Sequence, residues 1–388
     1  MARFSFKTSK KSPRIMKFSV DSGELLSRLQ TMGKVVDERS TLPALANFLF
    51  SVQGNSLILT AANTEMRMTS SLEINNLEGS DGKVCIPGVK LTEYIKYLPE
   101  QPITFSIPDG SLALEISSLS GKSDQVCIAA DDYPEEKIDE QELRTIKIAE
   151  VALFMGINST IFAAADGNVS PVMTGIYFDI EPGKVSFVAT DQHKLARYIR
   201  TDVDTADQTA GFVLNKKPAN VLKGILGKSD DMVTVSFGSR NVTFETSLYR
   251  YTCRLTEGQY PPYRNVIPSN NDCRVVVNRA DLIKAMARVS VFVDATHLIR
   301  CELFSNSMNI STQDLDFSCS ATETLPCEYE GREMVAGFNS QNFYNALNNI
   351  SSQDVEIRLS DPSRPGLISP VENDEKADML IVIVPMRI

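Results

Sequence analysis

Histidine is nearly absent from this chain of 388 residues, with only His193 and His297 present. A Ser-His or Cys-His catalytic pair therefore has almost nothing to draw on, and no G-x-S-x-G nucleophile elbow occurs. The seven cysteines stand at 85, 127, 253, 273, 301, 319 and 327 without a C-x-x-C pair, so they read as small core hydrophobes and not as a zinc or disulfide framework. No apolar run approaches the roughly 18 residues a membrane span needs, and none follows the basic start. Neither anchor nor secretory signal is expected, and the expected location is the cytoplasm. Positive charge is also short: 39 Lys and Arg against 49 Asp and Glu give a formal net charge of -10. On overall balance this argues against a nucleic-acid coat or a membrane-surface protein, an argument that fails if the charge is unevenly placed.

Two phosphate-loop lookalikes fail on spacing. "GKSD" begins at 121 and at 227, but a Walker loop needs a glycine five residues earlier, where Ile116 and Leu222 stand. Both read as polar turns. "VENDEKAD" from 371 has carboxylates but lacks the spacing and central glycine of a calcium loop, so it reads as a solvated loop. No cofactor or metal is expected. The first fifteen residues, "MARFSFKTSKKSPRI", are Ser- and Lys-rich without acidic groups and read as a flexible extension; a short transit peptide and a misassigned start codon are the other readings.

What the chain does have is a long internal repeat. Three landmarks recur about every 127 residues. A strand-like start running into a helical pattern appears as "MKFSVDSGELLSRLQTMGKVV" from 16, "RTIKIAEVALFMGINSTIFAAA" from 144 and "CRVVVNRADLIKAMARVSVFV" from 273. A hairpin follows each, turning at Gln-Gly-Asn, Glu-Pro-Gly and Ser-Asn-Ser. A second strand and helix then recur in "GKVCIPGVKLTEYIKYL", "AGFVLNKKPANVLKGIL" and "VAGFNSQNFYNALNNI". The expected organisation is an extension over 1–15 and three similar α+β domains over 16–142, 143–270 and 271–388. Each domain is expected to hold two helices and two small antiparallel sheets, from a strand, helix, strand, strand pattern used twice.

Charge follows the repeat. The helix predicted from Lys216 to Lys228 carries lysines at 216, 217, 223 and 228 facing no carboxylate. Smaller excesses sit on other predicted helices: Arg28 and Lys34 against Glu24, Lys90 and Lys96 against Glu93, Lys284 and Arg288 against Asp281. Helices lining one concave face would attract a polyanion despite the net charge, and phosphate contacts carry no sequence information. Each helix singly also reads as a solvated face. "ATDQHKLARY" from 189 places Asp191 and His193 close together, which leaves open an acid and base acting on nucleic acid or nucleotides.

The three-copy layout, with "PVMTG" at 171, "ATDQHKLA" at 189, "YPPYRNVIP" at 260 and "VPMRI" at 384, closely resembles the bacterial replicative sliding clamps, the beta subunits of the polymerase III holoenzyme. The resemblance runs from Met16 to Ile388. It implies a head-to-tail homodimeric ring around duplex DNA, with helices inside and sheets outside. Arg39, Lys216 and Lys217, with Lys223 of the lysine-rich helix, would approach the DNA backbone. The stretch at 189 would form one wall of a peptide groove for the polymerase alpha subunit, the clamp loader and repair proteins. Thr190, Gln192, His193, Lys194 and Leu195 would line it, His193 and Lys194 as polar rim contacts, with Met173, Pro261 and Val266 opposite. Val382, Ile383, Val384, Pro385, Met386 and Arg387 would complete it. Ser170 and Asn265 stand where relatives often carry arginine, which bears on the groove's polar edge. Val291 and Phe292 would meet the partner subunit, and residues near 123 to 129 would pair with its strand edge. The alternatives to a processivity clamp are the nucleic-acid enzyme above and a peptide-binding scaffold with no DNA role.

Overall fold

The computed structural model describes residues 15–37, 39–77, 81–108, 110–135, 143–167, 170–314 and 317–388. Residues 1–14 of the extension expected over 1–15, and the domain cut expected near 142, lie outside the described residues, while Ile15 already belongs to the first strand, where it pairs with Pro108. Alternating burial marks many of the strands, such as Ile15–Asp21 and Cys273–Asn278, and the order of elements repeats three times. The first copy runs through strand Ile15–Asp21, helix α1 (Ser22–Met32), and strands Asn47–Gln53, Ser56–Ala62, Met66–Glu73 and Gly82–Pro87. Helix α2 (Gly88–Lys96) and strands Pro102–Pro108, Ala113–Ser117 and Lys122–Val126 finish it. The second has Arg144–Ala149, α3 (Glu150–Thr160), Gly175–Glu181, Lys184–Thr190, Lys194–Arg200, Ala210–Asn215, α4 (Lys216–Lys223), Met232–Phe237, Asn241–Glu245 and Arg250–Arg254. The third has Cys273–Asn278, α5 (Arg279–Val289), Leu298–Phe304, Ser307–Asp314, Cys319–Pro326, Met334–Asn339, α6 (Ser340–Asn348), Asp354–Leu359, Gly366–Pro370 and Ala377–Ile383. Each half-copy thus holds one more strand than expected, because polar-rich segments such as "MRMTSSLE" also take up the alternation.

The helices start where strands end, and the junction residue explains why. Asp21, Asn278 and Asn339 each accept a hydrogen bond from the backbone N–H three positions on, and Asn215 accepts one from Lys217 N–H, capping α1, α5, α6 and α4. In α1 the buried Leu25, Leu29 and Met32 fall at helical spacing. The lysine-rich helix is shorter than expected: α4 ends at Lys223, where the Gly224 N–H closes on Asn220, and Lys228 lies in the following turn.

Contacts divide the chain into two compact units. One comprises the chain up to Leu143 with Asn241–Arg254. It contains a five-stranded antiparallel sheet, in which Ile15–Asp21 pairs with Pro102–Pro108, and a second sheet in which Met66–Glu73 pairs with Ser56–Ala62 on one side and Arg250–Arg254 on the other. Phe18 stacks on Phe105 at 5.0 Å between centroids in its core. The other unit comprises Arg144–Arg240 and Leu255–Ile388. Its nine-stranded sheet joins strands of the second and third copies through the pairing of Lys194–Arg200 with Ala377–Ile383, so the sheets are not confined to single copies as expected. The edge strands Lys122–Val126 and Cys319–Pro326 each pair on one side only among the described residues.

A glycine inside α3 has a packing reason. A Cβ on Gly156 would sit 2.5 Å from the ring of Phe187, which is fully buried against Phe178. Gly156→Ala gains about 1 kcal/mol of helix propensity, but overpacking costs about 1–3 kcal/mol. The expected result is a net loss of stability, read as a lower urea midpoint with an unchanged slope.

Candidate functional site: an apolar groove beside a locked turn

The segment between strands Lys184–Thr190 and Lys194–Arg200 is a locked turn. Asp191 Oδ1 accepts the backbone N–H groups of His193 and Lys194, both at 2.9 Å. Thr190 Oγ1 donates to Lys194 O at 2.7 Å and accepts the Gln192 N–H at 3.1 Å. Gln192 takes a left-handed φ of 76°, and its amide reaches Met173 Sδ at 3.6 Å. The second carboxylate oxygen of Asp191 takes the Lys194 ammonium. Asp191 thus commits both oxygens to the turn, which leaves it poorly placed as an acid or base partner for His193.

Lys194 departs from its expected place on the rim. Its side chain is buried, and its ammonium also donates to Asn342 Oδ1 of α6 at 3.1 Å. It ties the turn to a helix 148 positions away. Gln192 and His193 are the exposed members of this wall, while Thr190 and Leu195 are buried.

Beside the turn, Leu195 pairs in register with Val382. They belong to one buried cluster with Val172, Val188, Val213, Tyr260 and Tyr263, and Met173, Tyr177, Ile267 and Leu367 pack against it. Pro261 is half-buried next to this cluster in sequence, Val266 is exposed, and Ser170 and Asn265 are both exposed. Ile383 points inward and is buried, Pro385 and Met386 are partly exposed, and Val384 and Arg387 are exposed. The chain's end is pinned: Val384 N–H donates to His193 O at 3.0 Å and Met386 N–H to Gly337 O at 2.8 Å. Gly337 has no room for a side chain, since a Cβ would meet Met386 O at 2.8 Å.

Residues that sequence reasoning missed hold the opposite wall. Tyr260 stacks on Tyr177 at 4.7 Å, and Tyr263 meets Tyr177 edge-on at 6.5 Å. The Tyr263 hydroxyl donates to Asp179 Oδ2 at 2.8 Å, and Arg264 Nη2 lies 2.8 Å from both Asp179 and Glu181. Lys184, followed by Arg264, holds the Glu181 carboxyl below its usual range, while burial and the Asp179 bond push the Tyr263 hydroxyl up. The strand "GIYFDIE" carried the signal, because Tyr177 and Asp179 stand two apart and so share a face.

The remaining predicted residues fall elsewhere. Arg39 and Lys217 are exposed. Lys216, expected to face no carboxylate, pairs with Asp166 at 2.6 Å, and Lys223 Nζ lies 3.4 Å from Asn158 of α3. Arg28 is withdrawn from the cationic surface: it is buried, pairs with Glu24 at 3.6 Å and lies over the Tyr249 ring. Arg288 is held by Glu323 at 2.6 Å. Val291 and Phe292 form an exposed apolar end after α5, at 76% and 40% exposure. Among the described residues no cluster of His, Cys, Asp and Glu could hold a metal, and no helix is long and apolar enough to cross a membrane.

Comparison with known proteins covers all three copies of the repeat. Family models described as the N-terminal, central and C-terminal domains of the DNA polymerase III beta subunit match residues 16–138, 147–262 and 264–387. The chain is 26% identical to the beta sliding clamp of Pseudomonas aeruginosa over 96% of its own length and 100% of that protein, and 24% identical to that of Vibrio cholerae with the same coverage. A crystal structure of the Pseudomonas aeruginosa DNA polymerase III beta subunit matches with a TM-score of 0.90 at 26% identity, covering 96% of this chain and 100% of that one. The Bartonella birtlesii sliding clamp, solved bound to griselimycin, matches with a TM-score of 0.89 at 26% identity and the same coverage.

The bond between Tyr263 and Asp179 is expected to hold the groove's second wall in place. Tyr263→Phe and Asp179→Ala should each lose about 2 kcal/mol, the range for a hydrogen bond to a charged group. In a double-mutant cycle on thermal unfolding the two losses should couple by at least about 1 kcal/mol; additive losses would show the bond contributes nothing.

Proposed function

Because the chain belongs to the DNA polymerase III beta subunit family and is a DNA sliding clamp, we propose that it works as a ring of two chains, head to tail, in the bacterial cytoplasm. The free edges of Lys122–Val126 and Cys319–Pro326 are available for the intersubunit pairing, and the apolar end at Val291 and Phe292 would be covered there. Enclosure then replaces affinity. Arg39, Lys216, Lys217 and Lys223 need supply only weak, sequence-neutral attraction to phosphates.

The groove docks short segments of the polymerase alpha subunit, the clamp loader and other partners. The observation that carries this reading is the apolar cluster around the Leu195–Val382 pair, set beside a turn whose Gln192, His193 and Lys194 N–H groups are all bonded and beside the pinned end segment. An apolar slot on a rigid frame carries little ordering cost of its own, so that cost falls on the incoming segment. Met173 and Met386 adapt the slot to partners of differing shape. His193 and Gln192 give polar contacts at the rim, and griselimycin takes the same slot here.

Loaded protein should remain on nicked circular DNA and leave when the circle is linearised. Phe292→Glu should sediment as a monomer and be lost from both, while equal release of the unaltered protein from circle and line would refute enclosure. Removing Val384–Ile388 should weaken binding of griselimycin and of polymerase-derived peptides at least about tenfold, the effect of losing about 1.4 kcal/mol of contact, with cooperative unfolding retained. Undiminished binding would exclude the chain's end from the groove.

A further inference from the structure

The first copy contains a counterpart of the groove, built on the same frame. Its short helical turn Pro43–Ala46 matches Pro171–Thr174. Asn63 Oδ1 accepts the Glu65 and Met66 N–H groups at 2.8 Å, as Asp191 does for His193 and Lys194. Tyr133 Oη donates to Thr60 O at 3.3 Å, as Tyr260 Oη donates to Val188 O at 3.4 Å. Arg254 N–H donates to Glu65 O at 2.8 Å, as Val384 N–H donates to His193 O at 3.0 Å. A buried cluster of Ala44, Leu45, Ala62, Cys85 and Tyr133 stands where the groove's own cluster stands.

These pairings fix which residues stand at the floor pair. Arg67 pairs with Thr252, as Leu195 pairs with Val382. Both members of the pair differ in kind, and the arginine has a large geometric result. Arg67 Nη1 donates to Pro134 O at 2.7 Å, and its guanidinium lies over the Tyr133 ring at 5.7 Å from the centroid. The side chain therefore runs from the floor strand to the Tyr-Pro segment, along the path that in the groove leads from Leu195 to Tyr260–Pro261.

We propose that Arg67 is the specificity-determining residue that keeps the first copy from offering a second peptide groove, by occupying the counterpart itself. An apolar segment entering there would have to lift a guanidinium off an aromatic face and leave the Pro134 carbonyl without its donor. The groove rejects nothing comparable, because Leu195 stops at the floor. Exclusion of a second ligand is thus built in as an occupied site and not merely as a poor fit.

The inference rests on the groove reading given above, and titration of the full chain with griselimycin separates the two. The unaltered protein should take up one molecule per chain. Arg67→Leu combined with Thr252→Val, which copies the groove's floor, should take up two. Leu195→Arg should reach across to Tyr260–Pro261 and abolish the single event. Cooperative thermal unfolding certifies each variant, and Arg67→Met replaces Arg67→Leu if the latter fails that check. A folded Arg67 variant that still binds one molecule, a folded Leu195→Arg that binds as before, or an unaltered chain that binds two would each overturn the inference. An unaltered chain that binds none would instead overturn the groove reading.

Discussion

Everything that distinguishes this molecule's binding face depends on one antiparallel pairing, that of Lys194–Arg200 with Ala377–Ile383. Its register runs from Lys194 opposite Ile383 to Arg200 opposite Ala377. The pairing brings Leu195 and Val382 side by side, and only then does the following chain lie close enough for Val384 to bond to His193 and Met386 to bond to Gly337. Charges reinforce it at the far end, where Arg197 meets Asp378 at 2.5 Å and Arg200 meets Asp374 at 2.8 Å. Arg200 is buried and holds Asp202 as well, which sets it apart from an ordinary surface cation. The groove is therefore a property of the finished sheet. It cannot form in either partner strand alone, because each supplies half of its floor.

The same dependence explains how much could be read from the sequence. The threefold order of elements was legible, because strand alternation, the two-residue turns and the Asp or Asn at strand ends are all local signals. The apolar end "LIVIVPMRI" and the turn "TDQHKL" were legible as separate segments, and their relation came through family resemblance. What local pattern could not carry was direction. Lys194 looks like a rim residue in "DQHKL", yet its ammonium turns inward to Asn342. Arg28 looks like part of a cationic helix face, yet it lies buried over Tyr249. Both outcomes are fixed by partners far along the chain. Sheet membership failed for the same reason: whether Lys194–Arg200 ends a small sheet or joins another copy's strand depends on the edge it meets, not on its own residues.

Copies of one frame have been given different chemistry at few positions. The turn is held by Asn63 in one copy and Asp191 in another, and either side chain accepts the same two backbone N–H groups. Asp191 adds a charge, and with it the anchor for Lys194 that reaches α6. The neutral Asn63 sends its amide instead to Val35 O at 2.8 Å, a tie to the segment just after α1. The frame tolerates either because what it needs is an acceptor at that point. Function can then vary on the side of the strand that faces outward.

Charge follows a similar economy of means. A chain with a formal charge of -10 encloses a polyanion only if its positive groups are gathered where the DNA passes. Yet several of those groups already have carboxylate partners: Lys216 with Asp166, Arg288 with Glu323 and Lys96 with Glu93. For a protein that held DNA by affinity, such pairing would be a defect, since each neutralised cation removes a phosphate contact. For one that holds DNA by encircling it, strong contacts would act as friction. Exposed pairs of this kind are individually weak and exchange readily with solvent and phosphate. In the proposed ring, partial self-neutralisation would lower the barrier between successive positions along the duplex, while enclosure, which no salt can screen, would prevent loss.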